Sequence, residues 1–210
     1  MEKITITPCS ATPRIKCDAL QLFVAGKAMV IVRVITGEAR GRRLVTLEGE
    51  DVRPTTDRVK EGMFNIIQFE LEGSQVLDLF AGSGQLGIEA LSRGAKRCVF
   101  VDSSSRSLDT VKMNLKTVGF ENRASVLNGE AKMYLSLCRD KFDIALLDPP
   151  YHKKITDEVL PLLAPKMNDN GVIICETAAD EELLQSAGEF SVCREYKYGK
   201  IKLTVYRKNG

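Results

Sequence analysis

Apolar positions along the chain fall into short β-branched runs separated by amphipathic stretches, and the two alternate almost to the C-terminus. Residues 30–35 (Val-Ile-Val-Arg-Val-Ile) and 44–47 (Leu-Val-Thr-Leu) read as strands around a Gly-punctuated basic turn. Val59, Met63, Ile66 and Ile67 recur at helical spacing and predict a helix. The run 75–81 predicts a buried strand, followed by glycines and a helix through Leu91. The same rhythm then predicts strands over 98–101, 124–127, 142–147 and 171–175. It predicts helices over 105–118, 132–138, 156–167 (interrupted by Pro161 and Pro165) and 181–187. Residues 191–198 and 201–207 alternate around Gly199-Lys200 and predict a closing antiparallel hairpin. Alternating strands and helices predict an α/β fold around a mostly parallel sheet.

Ligands of such sheets bind beyond the carboxyl ends of the strands, so residues just after the apolar runs are the candidates for chemistry. Asp78-Leu79-Phe80-Ala81-Gly82-Ser83-Gly84, with Gly87 following, makes a strand, glycine turn and helix of the nucleotide-binding kind. About 20 residues further on, Asp102 ends the next strand, where a carboxylate can take both hydroxyls of a ribose. These features fit a dinucleotide or S-adenosylmethionine, since both carry adenosine. Asp78 at the strand end could meet an amino-acid ammonium, which favours the latter. Glu130, after the 124–127 strand, could accept from the adenine amine, although an acid at a helix start is as readily a solvated one.

Asp148-Pro149-Pro150-Tyr151 follows the 142–147 run. Two prolines make a stiff turn that offers carbonyl oxygens without competing N–H groups. Asp148 adds a carboxylate and Tyr151 an aromatic face. The set suits a planar ligand whose exocyclic amine donates to Asp148 and to the Pro149 carbonyl while its ring stacks on Tyr151. Hydride transfer has no use for such a group, and the closing hairpin also argues against a plain dinucleotide fold.

The 210 residues accommodate one α/β domain with a small appendage. A net charge of +2 means that any nucleic-acid surface must be local. Arg40, Arg42 and Arg43 at the first turn, and Arg58 at the start of the first helix, are candidates for phosphate contacts, although nearby acids nearly balance the turn. Thr56, with Thr55, can cap that helix, whose polar start could close over a cofactor. The six cysteines are far apart and form no C-x-x-C pair, which predicts reduced thiols, no metal and a cytosolic location. The one histidine, His152, reads as a solvated loop residue. No apolar run is long enough to span a membrane as a helix. Residues 1–29 carry no clear period and read as a leader or a mis-assigned start. Residues 30–52 read as a hairpin extension, and 53–210 as the main domain.

Three motifs in order carry a family resemblance. They are Arg53-Pro-Thr-Thr-Asp-Arg-Val59 with Phe64-Asn65, then Asp78 through Gly84 with Gly87 through Gly94, then Asp148 through Tyr151, all behind Gly41-Arg42-Arg43-Leu44. From about Val32 to Arg207 the chain resembles the bacterial 16S rRNA guanine-N2 methyltransferases of the RsmD family. It departs from them in Thr36, where a glycine is common, in Glu130, where Asp is common, and in the leader. The resemblance implies a class I, Rossmann-like, seven-stranded sheet with a reversed last strand and an N-terminal hairpin that meets RNA. It implies methyl transfer from S-adenosylmethionine to a guanine N2 in 16S rRNA of the small subunit, by a monomer. Asp148, Pro149, Pro150 and Tyr151 would be catalytic. Asp78, Phe80, Ala81, Gly82, Ser83, Gly84, Asp102, Glu130 and Thr56 would hold the cofactor. A DNA adenine-N6 methyltransferase, a protein-glutamine methyltransferase and a non-catalytic S-adenosylmethionine-binding RNA chaperone are the competing readings.

Overall fold

The computed structural model describes residues 22–24, 27–47 and 57–209. Among the described residues there are two sheets. A three-stranded antiparallel sheet is built from β1 (Leu22–Val24), β2 (Lys27–Arg33) and β3 (Arg43–Leu47). It therefore takes in residues on both sides of position 30, where the sequence placed the boundary between leader and hairpin.

The second sheet has eight strands. They are β4 (Gln75–Asp78), β5 (Arg97–Asp102), β6 (Ala124–Asn128), β7 (Phe142–Leu147), β8 (Met167–Ala178), the two-residue β9 (Ser186–Ala187), β10 (Phe190–Tyr198) and β11 (Ile201–Lys208). Their order is β6-β5-β4-β7-β8-β11-β10-β9. Strands β4 to β8 pair in parallel, and β11 runs reversed between β8 and β10. The chain leaves β4 towards one edge and returns to place β7 on its other side. The crevice between the carboxyl ends of β4 and β7 is thus the switch point at which open α/β sheets bind ligands.

Period-two alternation sorts each strand between two apolar layers. Val76, Cys98, Phe100, Ile144, Leu146, Ile174 and Val205 face one layer, closed by α1 (Asp57–Ile66), α2 (Gln85–Ser92) and α3 (Ser105–Val118). Leu77, Val99, Ala145, Leu147, Ile173 and Cys175 face the other, closed by α4 (Ala131–Leu137) and α5 (Ile155–Leu163). Pro161 lies inside α5, and a 3₁₀ turn at Ala164–Lys166 ends the segment.

The helix expected over 181–187 is absent, and this is a correction. Its acids and amides are engaged elsewhere. The Glu181 carboxylate accepts from the backbone N–H groups of Ala178 and His152, and Leu184 N–H donates to Asp157. The segment then joins the sheet edge as β9, pairing with Phe190 and Ser191.

The turn between β2 and β3 is docked rather than free. Val34, Ala39 and Leu44 are core residues. The buried Glu89 of α2 accepts from the N–H groups of Ile35 (2.8 Å) and Thr36 (2.9 Å) and from Arg93 Nε (2.8 Å), with Lys60 Nζ at 3.9 Å. Ser92 Oγ donates to Thr36 O and accepts from Ala39 N–H. Arg123 pairs with Glu38 and donates to the carbonyls of Leu91 and Ala95. The turn therefore sits against the C-terminal end of α2, the end remote from the glycine loop.

Candidate active site

Four strand ends carry an acid on the same face of the sheet. Strand parity places Asp102 with Cys98 and Phe100, Asp78 with Val76, Asp148 with Ile144 and Leu146, and Glu176 with Val172 and Ile174. Their strands are neighbours in the order β5, β4, β7, β8, and Leu146 is the register partner of both Asp78 and Ile174. The result is a row of carboxylates across the switch point. Three of the four were candidates from sequence. Glu176 was not, although the same signal announces it: an acid directly after the apolar run Val-Ile-Ile-Cys.

Asp78 is strongly perturbed. It is 1% exposed, and its Oδ2 accepts from Gly87 N–H at 2.9 Å, while its Oδ1 has no hydrogen-bond partner. Burial, together with the nearby Asp148 and Asp102, pushes its pKa up to about 7, against the lowering effect of the Gly87 N–H. A buried carboxylate oxygen without a donor is costly, and a ligand ammonium would remove that cost. Oδ1 thus meets the test for an amino-acid cation in the crevice.

The glycine loop is shaped around this acid. Gly84 caps α2 in the left-handed region (φ 77°), where a side chain would be strained. Gly87 packs so tightly on β5 that a Cβ would lie 2.3 Å from the Phe100 ring. Gly82 N–H donates to Asp102 Oδ2 at 2.8 Å, and Ser104 N–H donates to Asp102 Oδ1 at 2.8 Å. Each oxygen keeps a lone pair for a sugar hydroxyl. Ala81 is buried and ties the loop to β5 through Val101 O, while Phe80 is half-buried against the second layer. Ser83 offers its carbonyl to Asn114 Nδ2 (2.9 Å); the same buried amide pairs with both Val45 N–H and Val45 O of β3. One side chain therefore joins the N-terminal sheet to the glycine loop, a role that nothing in its local sequence announces. Glu130 is exposed at the start of α4, beside Gly129, whose N–H donates to Asp102 O.

After β7, Asp148 is half-buried, Pro149 is buried and Pro150 is exposed. Tyr151 is half-buried, and its hydroxyl donates to Glu176 Oε1 at 2.9 Å. His152 and Lys154 follow with positive φ (60° and 53°), strained for non-glycine residues.

The structure brings Asp78, Phe80 through Gly84, Asp102, Glu130 and Asp148 through Tyr151 to one end of the sheet. It does not bring Arg40 and Arg42 there. Both are exposed on the turn docked at the far end of α2, beside an open cavity of about 850 Å³ lined by residues such as Gly37, Ser92, Arg93 and Lys96. Eight helical residues, about 12 Å, separate that turn from the glycine loop. Arg43 is exposed opposite Arg33 on β2, and Arg58 is exposed in the first turn of α1. Thr56 lies outside the described residues. Cys98, Cys138 and Cys175 are buried free thiols and Cys193 an exposed one; burial pushes the Cys98 and Cys175 thiols up, which keeps them protonated. Among the described residues, no group of three or more His, Cys, Asp or Glu is placed to hold a metal ion, and no helix is long and apolar enough to cross a membrane.

Sheet order, reversed β11 and an acid-lined switch point define the class: this is the Rossmann-like fold of S-adenosylmethionine-dependent methyltransferases. The model of a family described as "Conserved hypothetical protein 95" matches residues 32–207, and the chain belongs to that family, the RsmD family whose motifs it shares. Over 184 residues it is 39% identical to the "Putative rRNA methyltransferase YlbH" of Bacillus subtilis, covering 85% of this chain and 100% of the relative. It is 35% identical over 181 residues to "Ribosomal RNA small subunit methyltransferase D" of Haemophilus influenzae (84% and 93% covered). The solved structure of the "Putative methyltransferase yhhF" of Escherichia coli superposes with a TM-score of 0.74 at 31% identity, covering 86% of this chain and 99% of that one.

Proposed function

We propose that this protein transfers a methyl group from S-adenosylmethionine to the exocyclic N2 of one guanine in 16S rRNA, acting as a monomer on the small ribosomal subunit or its assembly intermediate. The observation that carries the reading is the juxtaposition of the unpartnered Asp78 Oδ1 with Asp148 at the switch point, one acid suited to a cofactor cation and the other to a substrate amine. Relatives named as small-subunit rRNA methyltransferases support the RNA substrate.

The cofactor supplies the electrophilic methyl group. Asp78 takes the ammonium of its amino-acid portion, Asp102 the ribose hydroxyls and Glu130 the adenine amine. Phe80 through Gly84 form the loop that would hold it, and Thr56 is a further cofactor candidate from the sequence. The guanine N2 is a poor nucleophile because its lone pair is delocalised into the ring. Asp148 and the Pro149 carbonyl accept its two hydrogens and aim the lone pair at the methyl carbon. Such positioning contributes roughly 7–11 kcal/mol to lowering a barrier. Pro150 keeps the turn stiff, and Tyr151 stacks on the base, which must leave its helix to be reached. The product nitrogen is acidic and loses its proton easily, so Asp148 need not be a strong base. Arg58, Arg40, Arg42 and Arg43 meet RNA phosphates along the flank of the domain.

The test is transfer of labelled methyl to small subunits from cells lacking the protein, with naked 16S rRNA and duplex DNA alongside. The expected product is N2-methylguanosine at one site. Label in DNA adenine, or none anywhere with cofactor binding intact, would overturn the reading.

A further inference from the structure

We infer that Glu176 is the positioning residue of the target-base platform, holding the Tyr151 ring in the orientation in which it receives the base. The inference rests on the reading of Tyr151 as the stacking face.

A carboxylate that is 2% exposed inside a sheet is an expensive choice, tolerated where donors serve it. Glu176 lies on β8 beside β7, and opposite Leu203 of β11, at the strand's carboxyl end. Apolar side chains occupy the two preceding positions of its face, Val172 and Ile174, so packing alone would put another apolar residue there. Instead, Glu176 Oε1 accepts the Tyr151 hydroxyl at 2.9 Å. Two torsions define a tyrosine ring; the hydroxyl lies on the axis of the second, so anchoring it fixes where the ring axis points, and the preference of the phenolic O–H for the ring plane then favours one rotation about that axis.

The same strand grips the loop a second time. Just beyond β8, Glu181 Oε1 accepts from His152 N–H at 2.9 Å, while its Oε2 accepts from Ala178 N–H at 3.1 Å. The peptide after Tyr151 is thereby tied to the end of β8, and His152 is held at φ 60°, a conformation that persists only where its surroundings enforce it. Tyr151 is anchored at its tip by Glu176 and at its following peptide by Glu181. Both anchors belong to β8 and the segment that leaves it, so the aromatic face keeps a fixed position relative to Asp148, which opens the same turn. Glu176 itself touches neither the methyl donor nor the base; it acts through Tyr151.

The test compares Glu176→Leu, Glu176→Gln and Tyr151→Phe. Gln keeps the acceptor oxygen, so Glu176→Gln retains near wild-type transfer. Glu176→Leu and Tyr151→Phe each raise KM for the RNA and lower kcat/KM, on the order of 10- to 100-fold for the former, with S-adenosylhomocysteine affinity unchanged. The double variant is no worse than Glu176→Leu alone. A second readout needs no RNA substrate: ¹⁹F NMR of protein labelled with fluorotyrosine, the Tyr151 resonance being assigned by its loss in Tyr151→Phe. Glu176→Leu shifts that resonance, and Glu176→Gln restores it. A Tyr151 resonance unmoved by Glu176→Leu, or a loss of cofactor affinity and melting temperature in step with activity, would overturn the assignment. Absence of transfer by the wild-type protein, with the resonance shift present, would instead count against the proposed reaction and leave the anchoring intact.

Discussion

Asp78 and Glu89 are both buried acids in contact with α2, one beneath its start and the other within its last turns, and they are treated in opposite ways. Glu89 is wholly buried and fully served: two backbone N–H groups, the Arg93 guanidinium and the Lys60 ammonium surround it. Asp78 is as deeply buried, receives one N–H group and faces two further carboxylates. The first arrangement locks the N-terminal turn to the domain. The second stores an electrostatic demand that a cationic ligand can meet. Burial alone therefore does not mark a candidate site acid; burial with an unmet partner does.

The largest expected effect is on stability at the satisfied end. Glu89→Ala leaves two N–H groups and Arg93 Nε without their acceptor and the Lys60 ammonium, which still donates to Arg33 O, without its counter-charge; it destabilises the fold by about 3–5 kcal/mol, read as a lower denaturation midpoint. Burial already lowers the Lys60 pKa, so part of the loss is relieved by its deprotonation. A midpoint unchanged by the substitution would erase the contrast between the two acids.

At the other end, Asp78→Asn behaves in the reverse sense. It weakens S-adenosylmethionine binding roughly 10- to 100-fold, the worth of a hydrogen bond to a charged group, and raises the melting temperature of the ligand-free protein near neutral pH. The sign follows from linkage. The unfolded chain releases this proton near 3.8 and the folded chain at about 7. The stabilising contribution of protonated Asp78 is thus fully present below about pH 4 and is lost as pH rises through about 7. Calorimetry in buffers of different ionisation enthalpy should show proton release on cofactor binding below pH 7, and none in Asp78→Asn. Equal proton release in both proteins would place the titration elsewhere.

A smaller effect probes the distance between the two ends. Removing the charges of Arg40, Arg42 and Arg43 together should weaken RNA binding and flatten its salt dependence, by roughly 0.7–0.9 in the log–log slope for each phosphate no longer neutralised. An unchanged slope would confine the RNA surface to the neighbourhood of Arg58 and the catalytic crevice.

The parts of this arrangement that can be read along the chain are those carried by neighbours in sequence. Asp78, Asp102 and Asp148 each follow an apolar run, and the glycines after Asp78 state their own turn. Glu176 obeys the same rule after Val-Ile-Ile-Cys, but nothing like the glycines or the two prolines follows to single it out. Glu89 and Asn114 were beyond reach because the backbone groups of Ile35, Thr36 and Val45 that they serve lie more than fifty residues away. Residues 181–187 look helical in isolation, with Glu-Glu-Leu-Leu in line. Hydrogen bonds that His152 N–H donates to Glu181 and Leu184 N–H donates to Asp157 outweigh that local preference. The turn carrying Arg40 and Arg42 reads as a free tip because the docking partner, the end of α2, is remote in sequence.

The central claim is that one end of this sheet divides its labour, with Asp78 serving the cofactor and Asp148 the amine to be methylated. It is tested most directly by measuring methyl transfer and S-adenosylhomocysteine affinity side by side in Asp148→Ala. The account predicts that transfer falls on the order of 10²- to 10³-fold while the affinity stays in place. Loss of both together would make Asp148 a structural residue, and transfer that survives the substitution would remove it from the reaction.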